Sequence, residues 1–439
     1  MRKKLNKIDI LTLALGSIIG WGSFTLPGSK FLHESGIIST AIGLILGGFA
    51  IIFIQKGYHI MMERHHEDGG EFSYTYKNLG KANGFVVGWS LTLCYISMVP
   101  LNATAFVLVI KKLFGAKVDF IYLYKVAGYP VYLSEIIIAS LIILVFAYIN
   151  TKGLGLSSMI QNILILLMVI NVIIVFAFMI INTDHSLIKD TYIINYKLNI
   201  AEVAKVFSIV PFLFVGFDVI PQVSTELNFE APKATRIAII AIFAGVLFYN
   251  LLNITTGLVY TKETALLEEW ALGSAVLDNM GYLGFMLLII SLAGAVAGGI
   301  NGFMLGSSKL IGALSIYGLI PTKYKKKNHE GVFQNGVKFV VLISLIAPWF
   351  GREAIIYIVD MSSLLSAIAY FYVCYIGFKN SKGSNSYLSA FGALISLVFV
   401  GLLIIPGSPG RLSRPSMILT VLWGILGYLY YRRYSKIMK

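Results

Sequence analysis

Long apolar runs follow one another from end to end of this chain, each set off from the next by a short polar segment. About 18 or more consecutive apolar residues are enough for an α-helix to cross a bilayer. The pattern predicts roughly twelve spans, at 8–32, 36–57, 83–113, 130–150, 158–182, 201–226, 234–260, 280–307, 336–351, 354–378, 387–406 and 415–433. Two of them do not read as unbroken helices. The first contains LALGSIIGWGSFTLPG, Leu13 to Gly28, where Gly16, Gly20, Gly22 and Pro27 all oppose a continuous helix. Glycine costs about 1 kcal/mol against alanine in a helix interior, and proline about 3. The sixth carries Pro211 and Pro221 on either side of Gly216 and Asp218, and each proline removes a backbone hydrogen bond and crowds the preceding turn.

In lipid, a broken backbone is tolerated only where protein buries it or where it lines a cavity. Small residues alone can mean no more than close helix packing. The positions of the two breaks decide between these readings, because they fall in the first and sixth spans. An odd repeat length means that the second copy enters the membrane from the opposite side, and paired interrupted helices mark an inverted-repeat transporter and its binding site. The sequence therefore reads as an all-α membrane protein with one transmembrane domain over residues 1–439. A first repeat would cover 8–182 and an inverted second one 201–378, with two additional helices over 387–433.

Composition agrees: 57% of the 439 residues are hydrophobic, and the mean hydropathy is +0.80. Only 13% are charged, about half the usual share of a soluble domain. The first run lacks a small-residue cleavage site and reads as a helix, not a removable signal. The net charge of +14 would suit a nucleic-acid partner, but its placement rejects one. With the N-terminus inside, roughly two thirds of the basic residues fall in inner segments, from Arg2 to Lys7 at the start to Arg432 to Lys439 at the end. Both termini are expected in the cytoplasm, in a multi-pass protein of the plasma membrane. One loop runs against this rule, with Lys111, Lys112, Lys117 and Lys125 on the outer side.

The polar stretch from Glu63 to Asn83 includes Phe72, Tyr74, Tyr76 and Leu79, a pattern that predicts an interfacial amphipathic segment. Its charges (Arg64, Glu67, Asp68, Glu71, Lys77) read as a solvated face. The run Lys323 to Lys327 reads as a topology signal and a contact with lipid headgroups. Cys94 and Cys374 both lie in apolar runs, so a disulfide framework or metal cluster is not expected. No histidine sits centrally in a span, which opposes a haem subunit and leaves an intramembrane hydrolase without a base. No Gly-x-Ser-x-Gly elbow is present. The chain is not expected to be an enzyme or to carry a cofactor. A channel would present a selectivity filter, usually with oligomeric symmetry, and inverted repeats oppose that.

Several short motifs, in order, give the chain a resemblance to a known family. GSIIGWGSFTLPG looks like the G-S-I-I-G-x-G-I-F-x-x-P-G of amino acid–polyamine–organocation (APC) permeases, with Ser23 where isoleucine is common. Gly69-Gly70-Glu71-Phe72-Ser73-Tyr74, then Gly80, Gly84-Phe85 and Gly88-Trp89, is similar to the family's G-G-x-Y-x-Y…G…G-F…G-W. NTKGLGLSSMIQ, from Asn150 to Gln161, resembles N-x-x-G-x-x-x-S-x-x-x-Q. VGFDVIPQVSTELNFEAPKATRIAI looks like G-F-[ED]…E-x-x-N-P…P-x-A-I, with Glu230-Ala231 departing from the pattern. Ser308 to Pro321 resembles the loop after the eighth helix.

The resemblance implies the five-plus-five inverted-repeat fold of sodium-coupled leucine transport, and a substrate that is an amino acid or related amine. It maps the substrate carboxylate onto the backbone N–H groups of Gly20, Trp21, Gly22 and Ser23. The substrate ammonium falls on the carbonyls of Ile18, Phe212 and Val215, with Gly216 allowing close approach. Helix N-terminal ends suit a carboxylate and freed C-terminal carbonyls suit an ammonium. Asp218 occupies the position of an acid that acts in gating and coupling. A charge at mid-bilayer costs at least about 2.5–3.5 kcal/mol and usually serves a function, the alternative being an acid that steadies the broken helix. Asp360, near the start of span ten, reads as an interfacial acid before a functional one.

Trp21 and Phe212 could cap the substrate or simply pack. Tyr95, Asn102 and Asn301 are further side-chain candidates, though an intramembrane amide more often joins helices. The fifth helix carries no ionisable residue, only Asn162 and Asn171 beside Gln161. That removes the lysine which stands in for sodium in several proton-driven relatives. Coupling to a proton, coupling to sodium and obligate exchange all stay open. The function expected is alternating-access transport, first of a neutral amino acid. The alternative is a transporter-like sensor that binds without net flux.

Overall fold

The computed structural model describes residues 3–126, 129–194 and 196–437, so the positive charges assigned at Arg2 and Lys439 lie outside the described residues. The first helix, α1 (Lys7–Ile18), starts at a capping box. The Asn6 side chain accepts from the backbone N–H groups of Ile8 and Asp9 at 2.8 and 3.0 Å, and Asp9 accepts from the Asn6 backbone at 3.0 Å. Such reciprocal caps satisfy donors that a helix start leaves free. Helix α1 stops at Ile18, and α2 (Gly22–Leu26) resumes after a gap. Pro27 then opens a π-helical turn, Pro27–Leu32, leading into α3 (His33–Arg64).

Next come α4 (Gly70–Phe114), a hairpin of β1 (Tyr122–Val126) and β2 (Tyr129–Tyr132), α5 (Leu133–Thr151) and α6 (Leu154–Asn182). The sixth predicted span, 201–226, is in pieces. After the short α7 (Ser186–Ile188) it consists of α8 (Ile200–Ser208), α9 (Val210–Leu213) and α10 (Val219–Gln222), followed by a 3-10 turn, Ser224–Glu226. Long helices return with α11 (Ala231–Gly257), α12 (Ala271–Ile316), α13 (Gln334–Ile346), α14 (Gly351–Asn380), α15 (Ser384–Ile404) and α16 (Arg414–Ile437).

Eight helical stretches among the described residues are long and apolar enough to cross a membrane. One of these, Lys7–Arg64, runs the first two predicted spans together, and they part at Gly36, whose φ is +69°. Two more predicted boundaries fall at backbone bends. Gly80 separates the predicted interfacial segment from the rest of α4, and Gly281 divides α12 where span eight was expected to start. The ninth apolar helix is shorter, Gln334–Phe350. The protein is thus an all-α, multi-pass membrane protein with a small hairpin.

Helix α12 is the central pillar, packed on α4, α6 and α1, while α14 packs on α4 and α15, and α11 on α3. Small residues let these backbones touch. A Cβ built at Gly298 of α12 would lie 2.7 Å from the Gly16 Cα, the close approach expected of helices packed in lipid. Buried amides stitch α1, α5, α6 and α12 at the same level. Gln161 donates to the Thr12 carbonyl at 3.0 Å, and Asn301 bonds Gln161, Asn150 and Ser157, each at 2.8 Å. The lysines that run against the expected charge pattern are partly paired. Lys111 meets both Asp119 and Glu135, and Lys112 donates to Ser274 at 3.1 Å.

Candidate functional site

Both predicted interruptions are present, and they press against each other. In the first, Ile19 to Trp21 leave the helix, and their polar groups are shared out in a definite way. The Trp21 N–H donates to Asn102 Oδ1 of α4 at 3.3 Å, while Asn102 Nδ2 is tied to the Met98 carbonyl. Ser23 Oγ donates to the Gly20 carbonyl at 2.8 Å. Among the described residues, the N–H groups of Gly20 and Gly22 have no hydrogen-bond partner. A resumed helix start with free N–H groups is a ready site for an anion.

In the second interruption, Phe214 to Asp218 form a chain of turns between α9 and α10. Gly216 sits at φ +133°, a conformation that side chains rarely allow. Its packing demands glycine as well, since a Cβ there would lie 2.5 Å from Ser17 Cβ and 2.8 Å from the Ile18 nitrogen. The second break thus lies directly on the end of α1. Asp218, fully buried, accepts from the Gly216 N–H through Oδ1 at 2.7 Å, and its Oδ2 has no hydrogen-bond partner.

Sequence reasoning did not single out Tyr249 of α11. Its hydroxyl lies 3.2 Å from the Ile18 carbonyl and 3.4 Å from the Leu213 carbonyl, bridging the two breaks. The Ile18 carbonyl assigned to a substrate ammonium is therefore engaged here by a tyrosine. The Phe212 carbonyl accepts from the Val215 N–H at 3.3 Å, whereas the Val215 carbonyl has no partner among the described residues. Trp21 is buried and Phe212 half-buried. No signal in the sequence distinguished Tyr249 from the many other tyrosines in apolar runs.

The remaining candidates divide. Asn102 and Tyr95 belong to the site: Asn102 touches the first break, and the Tyr95 hydroxyl lies 3.3 Å from the Asp218 carbonyl. Asn301 has its amide committed to Gln161, Asn150 and Ser157, which makes it a helix tie. Asp360 lines a separate cavity of about 140 Å³ with Lys30, Glu34 and Arg411.

Glu71 requires a correction. Expected on a solvated face, it is wholly buried. Its Oε1 accepts from Tyr58 at 3.1 Å and lies 3.4 Å from the Tyr95 hydroxyl, and its Oε2 accepts from Gln222 at 2.6 Å. The Gly69-Gly70 pair makes the turn that aims it inward, both residues having positive φ. The double glycine before an acid was the available signal, and the polarity of its neighbours masked it.

Asp68 was likewise placed on a solvated face and is mostly buried. It pairs with Lys309 at 3.1 Å and Lys327 at 3.0 Å, and Lys309 also pairs with Glu226. Burial raises the Asp68 carboxyl, but Lys309, Thr225 and Lys327 outweigh it and hold the group below the usual carboxylate range. Beside this cluster the N-terminal segment joins the end of the second break. The Leu5 N–H donates to the Glu226 carbonyl at 2.7 Å, and the Asn228 N–H to the Leu5 carbonyl at 3.0 Å.

Comparison with known proteins gives a consistent picture. A family model described as "Amino acid permease" matches residues 5–427. A methylthioribose transporter of Bacillus subtilis is 23% identical over 99% of this chain and 94% of its own length. A branched-chain amino acid permease of Lactococcus lactis subsp. cremoris is 26% identical, covering 83% of this chain and 79% of its own. A putative arginine/ornithine antiporter of Escherichia coli is 21% identical, over 85% and 81% respectively.

Proposed function

This chain belongs to the amino acid permease family and is a transporter of the APC kind, and from that premise we propose that it moves an amino acid or related amine across the plasma membrane by alternating access. The single observation that carries the mechanism is the contact of the two breaks, with Gly216 seated on Ser17 and Ile18. A substrate zwitterion would meet unpartnered N–H groups at Gly20 and Gly22 and carbonyls at Ile18, Leu213 and Val215 within one small region. Helix-end polarity places its carboxylate at the former and its ammonium at the latter. The Tyr249 hydroxyl stands in for the ammonium on Ile18 and Leu213, and the arriving substrate displaces it. Ser23 and Trp21 complete the first break, Phe212 packs beside the second, and Asn102 fixes the Trp21 peptide.

The side-chain class we favour is neutral. Asp218 spends one oxygen on Gly216, and Glu71 is already surrounded by donors, which leaves little for a second substrate cation. The relative named for branched-chain amino acids fits this class. The one named for methylthioribose places a polar, non-amino-acid solute within reach of the same architecture. In this reading the twelve spans form two inverted five-helix repeats over 8–182 and 201–378, with both termini cytoplasmic. The first and sixth spans then rock against the others. The test is uptake of a labelled amino-acid mixture into proteoliposomes, with unlabelled mixture inside or outside. Saturable uptake accelerated by internal amino acid supports the reading, and binding without flux turns it to the sensor.

A further inference from the structure

A groove of about 550 Å³ opens between α3, α11 and α15 and shares no lining residue with either break. Two helices line it through matching stripes at i, i+3, i+4 and i+7, one helix face each. On α3 the stripe is Ile52, Gln55, Lys56 and His59. On α11 it is Pro232, Thr235, Arg236 and Ile239. His59 Nδ1 lies 3.1 Å from Thr235 Oγ1 and ties the two together. The polar end holds more positive charge than it balances. Lys233 pairs with Glu230 at 3.0 Å, and His59 Nε2 lies 3.1 Å from Glu63. Lys56 and Arg236 have no ion-pair partner among the described residues, and both act on the His59 ring, which brings the two cations to one spot. Gln55 is 1% exposed, and neither its Nε2 nor its Oε1 has a hydrogen-bond partner. A buried amide with both ends idle is costly, and one that lines a cavity points to a partner there. The other end of the groove is apolar. Past Ile52 and Ile239, the half-exposed rings of Phe49 and Phe243 meet edge to face at 6.2 Å. Phe53 meets Phe391 of α15 in the same way at 4.9 Å. From Lys56 to Phe49, α3 runs about 10 Å, well within a leaflet whose hydrocarbon is about 15 Å deep.

We propose that this groove binds an anionic phospholipid, its phosphate held by Lys56, Arg236 and Gln55 Nε2 and one acyl chain laid along Ile52, Ile239, Phe49 and Phe243. Gln55 Oε1 accepts from a headgroup hydroxyl. A glycerol headgroup supplies one, whereas choline has no donor and carries a charge that the two cations repel. On the orientation proposed above, the polar end faces the cytoplasmic leaflet, where positive residues and anionic lipids meet. Helix α3 follows the first break along the chain and α11 follows the second, so the lipid clasps the helices leading from both.

The test uses the purified, delipidated full chain in neutral detergent, with phosphatidylglycerol, phosphatidylcholine and inorganic phosphate as separate probes. Phosphatidylglycerol should raise the thermal midpoint saturably and stay bound as a single lipid in native mass spectrometry. Phosphatidylcholine and phosphate should do neither. Lys56→Gln combined with Arg236→Gln should weaken phosphatidylglycerol binding by about tenfold or more and remove most of its salt dependence. Gln55→Leu should weaken binding too, yet leave the thermal midpoint of the lipid-free protein no lower, since its amide has no bond to lose. A merely structural glutamine would show the reverse. If Gln55→Leu does not fold, the double cation variant carries the test. Equal binding of phosphatidylcholine, or unchanged affinity in the double variant, reduces the groove to a place in the general lipid shell and overturns the proposal. An equal shift with inorganic phosphate assigns the cations to a soluble anion and overturns the lipid. None of these readouts involves flux, so failure here leaves transport standing, and failed transport leaves the lipid site standing.

Discussion

Replacing Gly216 with alanine adds one methyl group where two separate costs meet. The first is conformational: at φ +133°, a residue with a Cβ carries about 1–3 kcal/mol of strain. The second is steric. The new Cβ would lie 2.5 Å from Ser17 Cβ, 2.7 Å from the Ser17 carbonyl carbon and 2.8 Å from the Ile18 nitrogen. Those are backbone and near-backbone atoms, with no flexible tip to swing away, so overpacking adds about 1–3 kcal/mol. The sum, about 2–6 kcal/mol, is a large effect for a methyl group. Gly80→Ala separates the terms, because Gly80 also has positive φ, +85°, but nothing within 4 Å of its added Cβ. With only the conformational part to bear, at φ +85° and ψ 176°, it should cost about 1–3 kcal/mol. Gly20→Ala, whose nearest neighbour would be Asn102 Oδ1 at 3.3 Å, should cost under about 1 kcal/mol. Thermal midpoints of the three variants in detergent should therefore rank Gly20→Ala above Gly80→Ala above Gly216→Ala. If Gly216→Ala proves as stable as Gly80→Ala, the second break does not bear on the first and the site as built here is wrong.

Three further outcomes are expected. Gly22→Leu, whose Cβ would lie 3.3 Å from the Leu26 side chain and 3.8 Å from the Tyr249 hydroxyl, should abolish amino-acid binding to the purified, folded protein; retained affinity would falsify the carboxylate assignment. Tyr249→Phe leaves the Ile18 and Leu213 carbonyls without their donor, at a cost of about 1–3 kcal/mol. It should lower the thermal midpoint while tightening substrate binding, since nothing need be displaced, and tenfold weaker binding would refute the displacement step. Lys309→Met leaves Glu226 without its cation and Asp68 with only Lys327 and Thr225, which should cost up to about 3–5 kcal/mol. The Asp68 carboxyl is held below its ordinary value. Its contribution is thus complete above an unfolded-state value of about 3.9 and is lost as pH falls through the lower folded value. Wild-type stability scanned by pH should stay level near neutrality and fall only in strong acid, and in Lys309→Met, whose Asp68 is held down less, that acid-driven fall should be smaller. Identical profiles would show that Lys309 does not hold the cluster.

The breaks were legible because glycine and proline act through the backbone, where a few residues dictate the local outcome. Gly20, Gly22, Pro211 and Gly216 announced their conformations before any packing was known. Helix positions were legible for a similar reason, since apolar length needs no partner. Glu71 and Asp68 were misread because the cost of burying a charge depends on what surrounds it, and their surroundings come from far along the chain: Gln222 for one and Lys309 for the other. Tyr249 was missed on the same ground, its partners lying 231 and 36 residues away. Asn301 shows the opposite case, an amide whose helix-joining role was foreseen as the commoner fate and whose partners proved to be other amides and a serine.

The pairing of Leu5 with Glu226 and Asn228 is made entirely by main-chain atoms. An alanine scan would pass over it, because truncating a side chain leaves every peptide group in place. Evolutionary drift can pass over it too, so that distant relatives could hold the same latch with no residue in common there. Only a change in the backbone's own chemistry reaches it. Proline at position 228, which deletes one of the two donors, would expose a fastening that side-chain substitution leaves hidden.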